Sequence, residues 1–377
     1  MKVYFFHLMP WPHLKQELAW PYPNKLFEPK EGEKLYNDYI NQMTLADELG
    51  FDAVCFNEHH FTAYGLMPSP NLIAAIMAGR TMKAKLAIFG NAIPLRGQPL
   101  RVAEEIAMID VISGGRVICG FVRGIPSEYF AYNISPGESR ARFEEAWDFI
   151  VKAWTEEEPF DWDGKFWKYK NVSIWPRPLQ KPHPPLWMPA ESAESIEFAA
   201  TRRVPTSRVY VSTADMKEGF NYYRDVAQKN GWTPTPDHFM PLRHIYVAET
   251  MEQARRESEK HLEYFYKYLV SGTYRSPIRQ MAEAQGYRSE KSYAYTTRAR
   301  PDKAQRYNDF TFESFQKEGD IIVGDPSYVL DEIKHQQREL GCGTILGLFQ
   351  FGSMPNDLVE KNTRLFAEQV LPKVKNL

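Results

Sequence analysis

Short apolar runs alternate along the chain with longer stretches whose apolar residues recur at helical spacing. The first run covers residues 3–8 and the second covers residues 52–57. Between them, residues 33–49 carry apolar side chains three or four positions apart, and Gly50 follows as a C-cap. This order of strand and helix is typical of a parallel sheet that is covered by helices.

The same alternation continues to the end of the chain. It predicts eight strands, over residues 3–8, 52–57, 86–91, 116–122, 186–189, 209–212, 243–248 and 344–351. It predicts helices over residues 33–49, 71–82, 99–112, 139–155, 192–201, 216–229, 251–269, 326–340 and 357–370. Eight strand and helix units in a chain of 377 residues predict an α/β fold of the TIM (β/α)8 barrel type.

Two stretches interrupt the alternation. Residues 159–176 are predicted to form a hairpin with a turn at Asp163-Gly164. Residues 271–320 are polar and aromatic, lack long periodic runs, and predict an insertion that is helical over 277–285. We therefore expect a single barrel domain over residues 1–377 with insertions at these two places. A doubly wound open sheet is the alternative, but the first strand is followed by Met9-Pro10 and not by a Gly-x-Gly-x-x-Gly fingerprint.

Composition narrows the class of protein. A formal charge of −2 and a pI near 6.5 argue against nucleic acid as a partner. The sequence has no run of eighteen apolar residues, so no membrane span is predicted. The first apolar run is too short for a secretory signal. The three cysteines lie inside apolar runs, which predicts buried thiols and a cytoplasmic protein.

Three proton-active residues, Glu58, His59 and His60, directly follow the second predicted strand. The carboxyl ends of strands carry the chemistry of α/β barrels, and an imidazole can act as acid or base near neutral pH. Packing and metal binding are the other interpretations of a His-His pair. The remaining histidines and cysteines do not supply the further ligands that a metal site needs, so no metal is predicted.

Two later segments could bind an anion. Arg123 follows the fourth predicted strand and is followed by Gly124, which suits a phosphate or a carboxylate. Glu191, Ser192 and Ser195 lie where the fifth strand ends and a helix begins, so free backbone N–H groups are available there. A structural ion pair and an ordinary helix cap are the alternative interpretations of these segments.

Together these segments resemble the bacterial luciferase-like flavin-dependent monooxygenases over nearly the whole chain. The resemblance is carried by Asn57-Glu58-His59-His60-Phe61, by residues 99–124, by Ala190-Glu191-Ser192-Ala193, and by Phe349-Gln350-Phe351-Gly352-Ser353-Met354-Pro355. It implies a TIM barrel, reduced FMN delivered by a separate and transiently bound flavin reductase, and a homodimer formed through the helices after strands two and three.

The resemblance also implies roles for individual residues. His59 matches the catalytic histidine beside the flavin, and His60 is expected to support it in catalysis. Glu58 is expected among the residues that bind the cofactor, in a supporting role. Asn91 lies where the family places backbone against the isoalloxazine ring, often with a strained or cis peptide bond. The positions that hold the FMN phosphate are occupied by Arg123, Glu191, Ser192 and Ser195. The luciferases carry a reactive cysteine where this chain has Val122, so a non-luminous member is implied.

The mechanism implied by the resemblance is oxygenation of a small, apolar or aromatic substrate by O2 through a flavin C4a-hydroperoxide. The aromatic loop at residues 11–27 and the insertion at 271–320 would shield that species from water. Three alternatives stay open: a deazaflavin-dependent hydride-transfer enzyme of the same fold, a flavin-binding protein without turnover, and a metal-dependent hydrolase that uses Glu58, His59 and His60.

Overall fold

Eight parallel strands close a barrel in the computed structural model, which describes residues 1–292, 295 and 303–377. The strands are β1 (Lys2–Phe6), β2 (Ala53–Phe56), β3 (Lys85–Ala92), β4 (Val117–Val122), β5 (Phe160–Asp163), β6 (Lys168–Val172), β7 (Leu186–Pro189), β8 (Thr206–Arg208), β9 (Phe239–Val247), β10 (Ile321–Gly324) and β11 (Thr344–Leu348). The barrel runs β1-β2-β3-β4-β7-β8-β9-β11, and β11 pairs with β1 to close it. The predicted TIM barrel is confirmed.

Helices surround the barrel. They are α1 (Pro29–Glu48), α2 (Pro70–Arg80), α3 (Pro99–Ile112), α4 (Glu128–Ala131), α5 (Ser139–Thr155), α6 (Ala193–Thr201), α7 (Thr213–Lys229), α8 (Met251–Tyr264), α9 (Ser271–Tyr274), α10 (Pro277–Ala282), α11 (Lys303–Asn308), α12 (Phe312–Lys317), α13 (Pro326–Leu340), α14 (Asn356–Gln369) and α15 (Leu371–Val374). None of the helices in the described residues is both long and apolar enough to cross a membrane.

Three of the described strands, β5, β6 and β10, lie outside the barrel. β5 and β6 pair as an antiparallel hairpin, and Gly164 lies in the turn between them, as the sequence predicts. β10 was not predicted, because its four residues stand between two helical stretches without alternation. It pairs with the second half of β9, beyond the three positions at which β9 pairs with β8.

The sixth predicted strand was placed three residues too late. The apolar run at 209–212 suggested the strand, whereas β8 is Thr206–Arg208 and Ser212 already caps α7. All three residues of β8 are buried although all three are polar. Arg208 donates from Nη1 to the backbone oxygen of Asp215 at 2.7 Å, whereas its Nε and Nη2 have no hydrogen-bond partner among the described residues. Hydrophobicity alone therefore does not mark the strand.

The segment after α8 is helical but irregular. The helix predicted over 251–269 is an α-helix to Tyr264 and then widens into a π-helical stretch, Phe265–Val270. α9, α10 and a second π-helical stretch, Glu283–Tyr287, follow within the predicted insertion. Residues 293, 294 and 296–302 of that insertion lie outside the described residues.

Aromatic rings pack together where the barrel closes. Phe5 of β1 stacks on Phe349, which follows β11, with ring centroids 5.3 Å apart. Phe51, before β2, packs edge-on against both rings at 5.6 and 5.2 Å. Such pairs contribute about 0.5–1.5 kcal/mol each beyond the burial of their area, so the first and last strands are held where the chain ends meet.

Gly90 makes the carboxyl end of β3 unusual. The register between β3 and β4 shifts between Ile88 and Asn91, and Gly90 has a φ of 124°. A Cβ at this glycine would lie 2.1 Å from Cγ1 of Val122 on β4. The backbone of Gly90 therefore packs closely against the side chain of Val122. The strand can bend at this point only because Gly90 has no side chain.

We expect replacement of Gly90 by alanine to destabilise the protein by roughly 3 kcal/mol or more, because strain and overpacking add. The matched control is Gly79→Ala in α2, where a Cβ meets nothing within 4 Å. That change should stabilise the protein by up to about 1 kcal/mol through helix propensity. Chemical denaturation measures both, and equal effects of the two substitutions would refute this account of β3.

Candidate active site

A cavity of about 280 Å³ opens at the carboxyl ends of the barrel strands. This is the face on which TIM-barrel enzymes place their active sites. The residues predicted for the site that line the cavity are Glu58, His59, Arg123, Glu191, Ser192 and Ser195. A larger depression of about 650 Å³ lies beside the start of α7 and contains none of them.

His59 presents its imidazole to this cavity. The ring packs edge-on against Tyr64 with centroids 4.6 Å apart, and the backbone N–H donates to Met67 at 3.3 Å. Neither ring nitrogen has a hydrogen-bond partner among the described residues. Burial, with a smaller effect of the neighbouring His60, lowers the pKa of His59 to about 3. The imidazole is therefore neutral near pH 7 and free to bond to a ligand.

Glu58 has no such freedom, because both of its carboxylate oxygens are occupied. Oε1 lies 2.8 Å from Nε2 of His60. Oε2 accepts from the guanidinium of Arg96 at 2.7 Å and from the backbone N–H of Ala92 at 3.1 Å. The side chain is 1% exposed, so the carboxylate is a buried and fully paired charge that ties the loop after β2 to the end of β3.

His60 is held from three directions and does not line the cavity. Its Nδ1 bonds to the hydroxyl of Tyr132 at 3.0 Å, and its backbone N–H donates to Oε1 of Glu128 at 3.0 Å. Burial raises the pKa of Glu128 to about 7. Its other oxygen accepts from the backbone N–H of Ile125 at 2.9 Å, which connects the loop after β2 to the loop after β4. His60 is thus fixed in place directly beside His59 in the chain.

Arg123 and Arg140 bring two positive charges to one side of the cavity. Arg123 donates to the backbone oxygen of Tyr287 at 2.8 Å and to Ser139 Oγ at 3.3 Å. Its guanidinium lies 3.9 Å above the ring of Tyr287. Neither arginine forms an ion pair with any residue in the part of the chain that the structure describes. Burial and the charge of Arg123 lower the pKa of Arg140, and the charges of Glu194 and Glu144 oppose this shift.

Ser192 and Ser195 form a capping box at the start of α6. Ser192 Oγ accepts from the backbone N–H of Ser195 at 3.3 Å, and Ser195 Oγ accepts from the backbone N–H of Ser192 at 2.9 Å. The predicted helix cap is therefore present. Both hydroxyls also line the cavity, so the cap and an anion site are compatible.

The side chain of Glu191 contacts the end of β8 and the residue that follows it. Its Oε1 accepts from the backbone N–H of Val209 at 2.9 Å. Its Oε2 lies 3.7 Å from Arg208 and 3.7 Å from Lys303. A carboxylate repels a phosphate, so any contribution of Glu191 to anion binding has to come from placing the two cations and the start of α6.

Asn91 is fully buried and does not line the cavity. Neither polar atom of its amide has a partner within the described residues. The three cis peptide bonds that are described all precede proline, at 20–21, 175–176 and 181–182. The unusual backbone expected at Asn91 is therefore the positive φ of Gly90 and not a cis bond.

Asn57 is the polar residue that sequence reasoning overlooked. It is 3% exposed, lines the cavity, and both its amide Nδ2 and Oδ1 lack a partner among the residues described. A buried amide in this state costs about 1–3 kcal/mol unless a ligand completes it. Its place beside Glu58 was the available signal. Arg140, Arg279 and Lys303 also line the cavity, and their separation in sequence hid them.

The described side chains do not provide a set of ligands for a metal ion. Within residues 1–292, 295 and 303–377, no group of three or more histidine, cysteine or carboxylate side chains could hold a metal ion. Glu58 and His60 are bonded to each other, and the ring of His59 packs against Tyr64. The metal-dependent hydrolase interpretation therefore has no ligand set in the described part of the chain.

Comparisons with known proteins agree with this geometry. The family described as luciferase-like monooxygenase matches residues 18–343. The oxygenase component of the flavin-dependent trigonelline monooxygenase of Acinetobacter baylyi is 29% identical over 244 residues, 63% of this chain and 66% of that protein. The alkanal monooxygenase alpha chain of Photorhabdus luminescens is 26% identical over 335 residues, 88% of this chain and 89% of that protein.

A solved structure is similar over its full length. The monooxygenase RslO1 from Streptomyces bottropensis is 28% identical, and its superposition gives a TM-score of 0.75 with 99% of both chains covered. This chain therefore spans just under two thirds of the trigonelline monooxygenase component, and nearly all of the alkanal monooxygenase chain and of RslO1.

We expect His59→Gln to reduce the loss of stability on acidification of the flavin-free protein. The pKa of His59 is about 3 in the fold against an ordinary value of 6.5. The residue therefore takes up a proton only on unfolding between pH 7 and pH 5, and stability is lost as the pH falls. The loss from this residue is about 2 kcal/mol.

Denaturation of wild type and variant at pH 7 and pH 5 measures this difference. His244 is the matched case, because burial also lowers its pKa to about 3. His244→Gln should remove a similar share of the pH dependence. If all three proteins lose the same stability, the two histidines are not held neutral by the fold.

Proposed function

The chain belongs to the luciferase-like monooxygenase family, and from this we propose that it uses reduced FMN and O2 to oxygenate a small organic substrate. One observation carries the proposal. The neutral imidazole of His59 lines the same cavity as two arginines and two serines at the end of β4 and the starts of α5 and α6, namely Arg123, Arg140, Ser192 and Ser195. Those elements would hold the flavin phosphate while the ring lies against the histidine.

The phosphate would be held by Arg123, Arg140, Ser192 and Ser195. Two guanidinium groups without a carboxylate partner suit a group that carries nearly two negative charges. Ser192 and Ser195 line the same cavity, and the N–H groups at the start of α6 that the capping box leaves available would add donors to this set. Glu191 would support this set by holding Arg208 and the end of β8.

The flavin ring would be held by Asn57 and by the backbone at Gly90 and Asn91. An amide that lacks both a donor and an acceptor partner complements the alternating carbonyl and N–H groups of a flavin's pyrimidine edge. Val122, which the Gly90 backbone touches, lines the cavity, so the bend in β3 lies just behind the cavity wall. Phe6 and Phe89 line the cavity as apolar rings.

Reduced FMN, when bound, supplies the electrons that activate O2. The task of this chain is then to place the substrate, exclude water and control a proton. His59 can accept or donate a hydrogen bond at a ring nitrogen, and an anion bound beside it would raise its pKa from about 3 and allow it to hold a proton. His60 and Glu58 keep that ring in position.

The loop at residues 11–27 would exclude water. Trp20 is 4% exposed, and its indole N–H donates to the backbone oxygen of His60 at 3.0 Å. The hydroxyl of Tyr22 donates to the backbone oxygen of Leu269 at 3.2 Å. The loop therefore bridges the site and the π-helical stretch, and a dry cavity protects oxygenation from unproductive release of peroxide.

A flavin reductase is the proposed partner, because the trigonelline monooxygenase relative is named as an oxygenase component. A deazaflavin hydride-transfer reaction is the other candidate within this fold. The same phosphate site would serve both cofactors, so direct titration with each reduced cofactor, followed by an assay with and without O2, separates them.

A homodimer through α2 and α3 is also part of the proposal. Apolar side chains on these two helices are exposed, with Leu72 67% and Ile112 59% accessible. Ile76, Met108 and Val111 extend the same apolar surface. Contiguous exposed apolar residues on two neighbouring helices are typical of a protein interface.

We expect the protein to bind FMN more tightly than riboflavin, and Arg123→Gln to abolish most of that preference. Loss of a charge-assisted contact to phosphate costs about 1.5–3 kcal/mol, so FMN affinity should fall roughly tenfold to a hundredfold. Riboflavin affinity should hardly change. Equilibrium titration of both flavins, oxidised and reduced, measures the ratio.

Two further variants complete the test. Arg101→Gln on the exposed face of α3 should leave both affinities unchanged, since that arginine is 66% exposed and remote from the cavity. His59→Gln should still bind FMN but should yield less oxygenated product per O2 consumed. Retained FMN preference in Arg123→Gln, or undiminished coupling in His59→Gln, would count against the assigned roles.

The interface is tested by Ile76→Lys, which should shift the protein from dimer to monomer because it places a charge in an apolar contact. Leu179→Lys is the control, since Leu179 is similarly exposed at 53% but lies outside α2 and α3. Sedimentation equilibrium reports the mass of each. If the wild-type protein is a monomer, the proposed homodimer is wrong.

A further inference from the structure

The hydroxyl groups of two tyrosines meet at the cavity. Tyr64 follows β2, and Tyr210 follows β8, which is the fourth strand from β2 around the barrel, so the two side chains come from opposite sides of it. Both residues line the cavity, and they are 7% and 8% exposed. Their hydroxyl oxygens are 2.6 Å apart. A hydrogen bond between two buried phenols therefore joins the loops after β2 and β8 at the cavity.

One proton of this pair has no acceptor. Each phenol carries a single O–H group, and the bond between the two oxygens uses only one of the two protons. Neither hydroxyl has another hydrogen-bond partner in the part of the chain that the structure describes. Burial raises the pKa of Tyr64 and of Tyr210 well above its ordinary value, so both phenols keep their protons at neutral pH. A buried O–H donor is therefore left that no described residue completes.

Tyr210 is held in a backbone conformation that a bulky residue rarely adopts. Its φ is 53°, in the left-handed region. Its backbone oxygen accepts from the hydroxyl of Tyr307 at 3.0 Å, and the N–H of the neighbouring Val209 donates to Oε1 of Glu191 at 2.9 Å. Strain of this kind persists only where the surrounding structure fixes it, and it is concentrated at functional sites. The position of this phenol is therefore determined by the fold.

The rings that pack against the pair are uncharged. Phe265 packs against both phenols, with its centroid 5.9 Å from that of Tyr64 and 5.4 Å from that of Tyr210. The imidazole of His59 lies 4.6 Å from Tyr64, and that of His244 lies 5.8 Å from Tyr210. Burial lowers the pKa of both histidines to about 3, so both are neutral near pH 7. A neutral donor among neutral rings suits an uncharged acceptor better than an anion.

We infer that the Tyr64–Tyr210 pair binds an uncharged oxygen atom of the substrate, a carbonyl or a hydroxyl oxygen, and selects substrates that carry one. This rests on the proposed function. A ligand that supplies the missing acceptor completes the buried donor, whereas a hydrocarbon of the same shape leaves it unpaired. Because Tyr64 packs against the imidazole of His59, the bound oxygen lies close to the proposed catalytic residue.

The test is equilibrium titration of the FMN-loaded protein with two pairs of compounds that match in shape. Acetophenone is compared with 2-phenylpropene, which has a methylene group in place of the carbonyl oxygen. Phenol is compared with toluene, which has a methyl group in place of the hydroxyl. At least one oxygen compound should bind about tenfold or more tightly than its hydrocarbon partner. The pair that shows this preference distinguishes a carbonyl from a hydroxyl substrate.

The double variant Tyr64→Phe, Tyr210→Phe should lose the preference, while its FMN affinity should change by less than about twofold. Each single substitution leaves one phenol with a free proton, so each should retain part of the preference. Tyr223→Phe is the matched control, because the buried hydroxyl of Tyr223 donates to the backbone oxygen of Val204 at 2.8 Å and does not line the cavity. The control should keep both the preference and the FMN affinity.

If neither oxygen compound binds more tightly than its hydrocarbon partner, the inference is wrong although the proposed function stands. The same holds if the double variant keeps the preference, or if Tyr223→Phe loses it as well. If the double variant loses FMN as strongly as it loses the oxygen compounds, the pair serves the cofactor and the inference is also wrong. Failure of the wild type to bind FMN would instead refute the proposed function.

Discussion

The carboxylate of Glu58 is buried where the second strand leaves the barrel, and the geometry of the site depends on how that charge is satisfied. Its oxygens accept from Arg96 and the Ala92 backbone and meet the ring of His60. Removing one partner of such a buried charge typically costs about 3–5 kcal/mol, so the arrangement has few alternatives. His59 lies between two residues that this network holds, and it lines the cavity.

The network and the cavity treat charge in opposite ways. Around Glu58 every oxygen is paired, and Glu128 extends the same pattern to the loop after β4. Arg123 and Arg140 line the cavity and form no ion pair among the described residues, although the charges of Glu194 and Glu144 raise the pKa of Arg140. The first arrangement fixes side chains without a ligand, whereas we propose that an anion completes the second.

Periodicity was sufficient for most of the fold. The helices at 99–112, 139–155 and 326–340 and the strand at 186–189 were predicted with the observed bounds, because apolar positions and Pro or Gly at their ends agree. It failed at β8, whose buried residues are polar, and at β10, which depends on pairing with β9. Those strands are defined by long-range contacts that no local pattern records.

The same distinction separates the site residues that were predicted from those that were missed. Residues beside a strand end, such as His59, Arg123 and Ser192, were found because their position in the barrel follows from the order of elements. Asn57 was quoted only as part of a motif, since an amide is conspicuous only once its missing partners are visible. Arg279 lies 156 positions from Arg123 in the chain, and only the folded insertion brings both to one cavity.

The two neighbouring guanidinium groups would make the proposed phosphate site costly to stability. Two like charges that share a buried environment oppose folding, and burial together with the charge of Arg123 lowers the pKa of Arg140 more than Glu194 and Glu144 raise it. A bound anion would relieve the repulsion, so part of the cost would return as binding free energy in the complex alone. A carboxylate placed beside Arg123 would stabilise the flavin-free protein but would occupy the position in which we propose that the phosphate binds. The proximity of the two cations is therefore a requirement of the proposed binding and not a defect of packing.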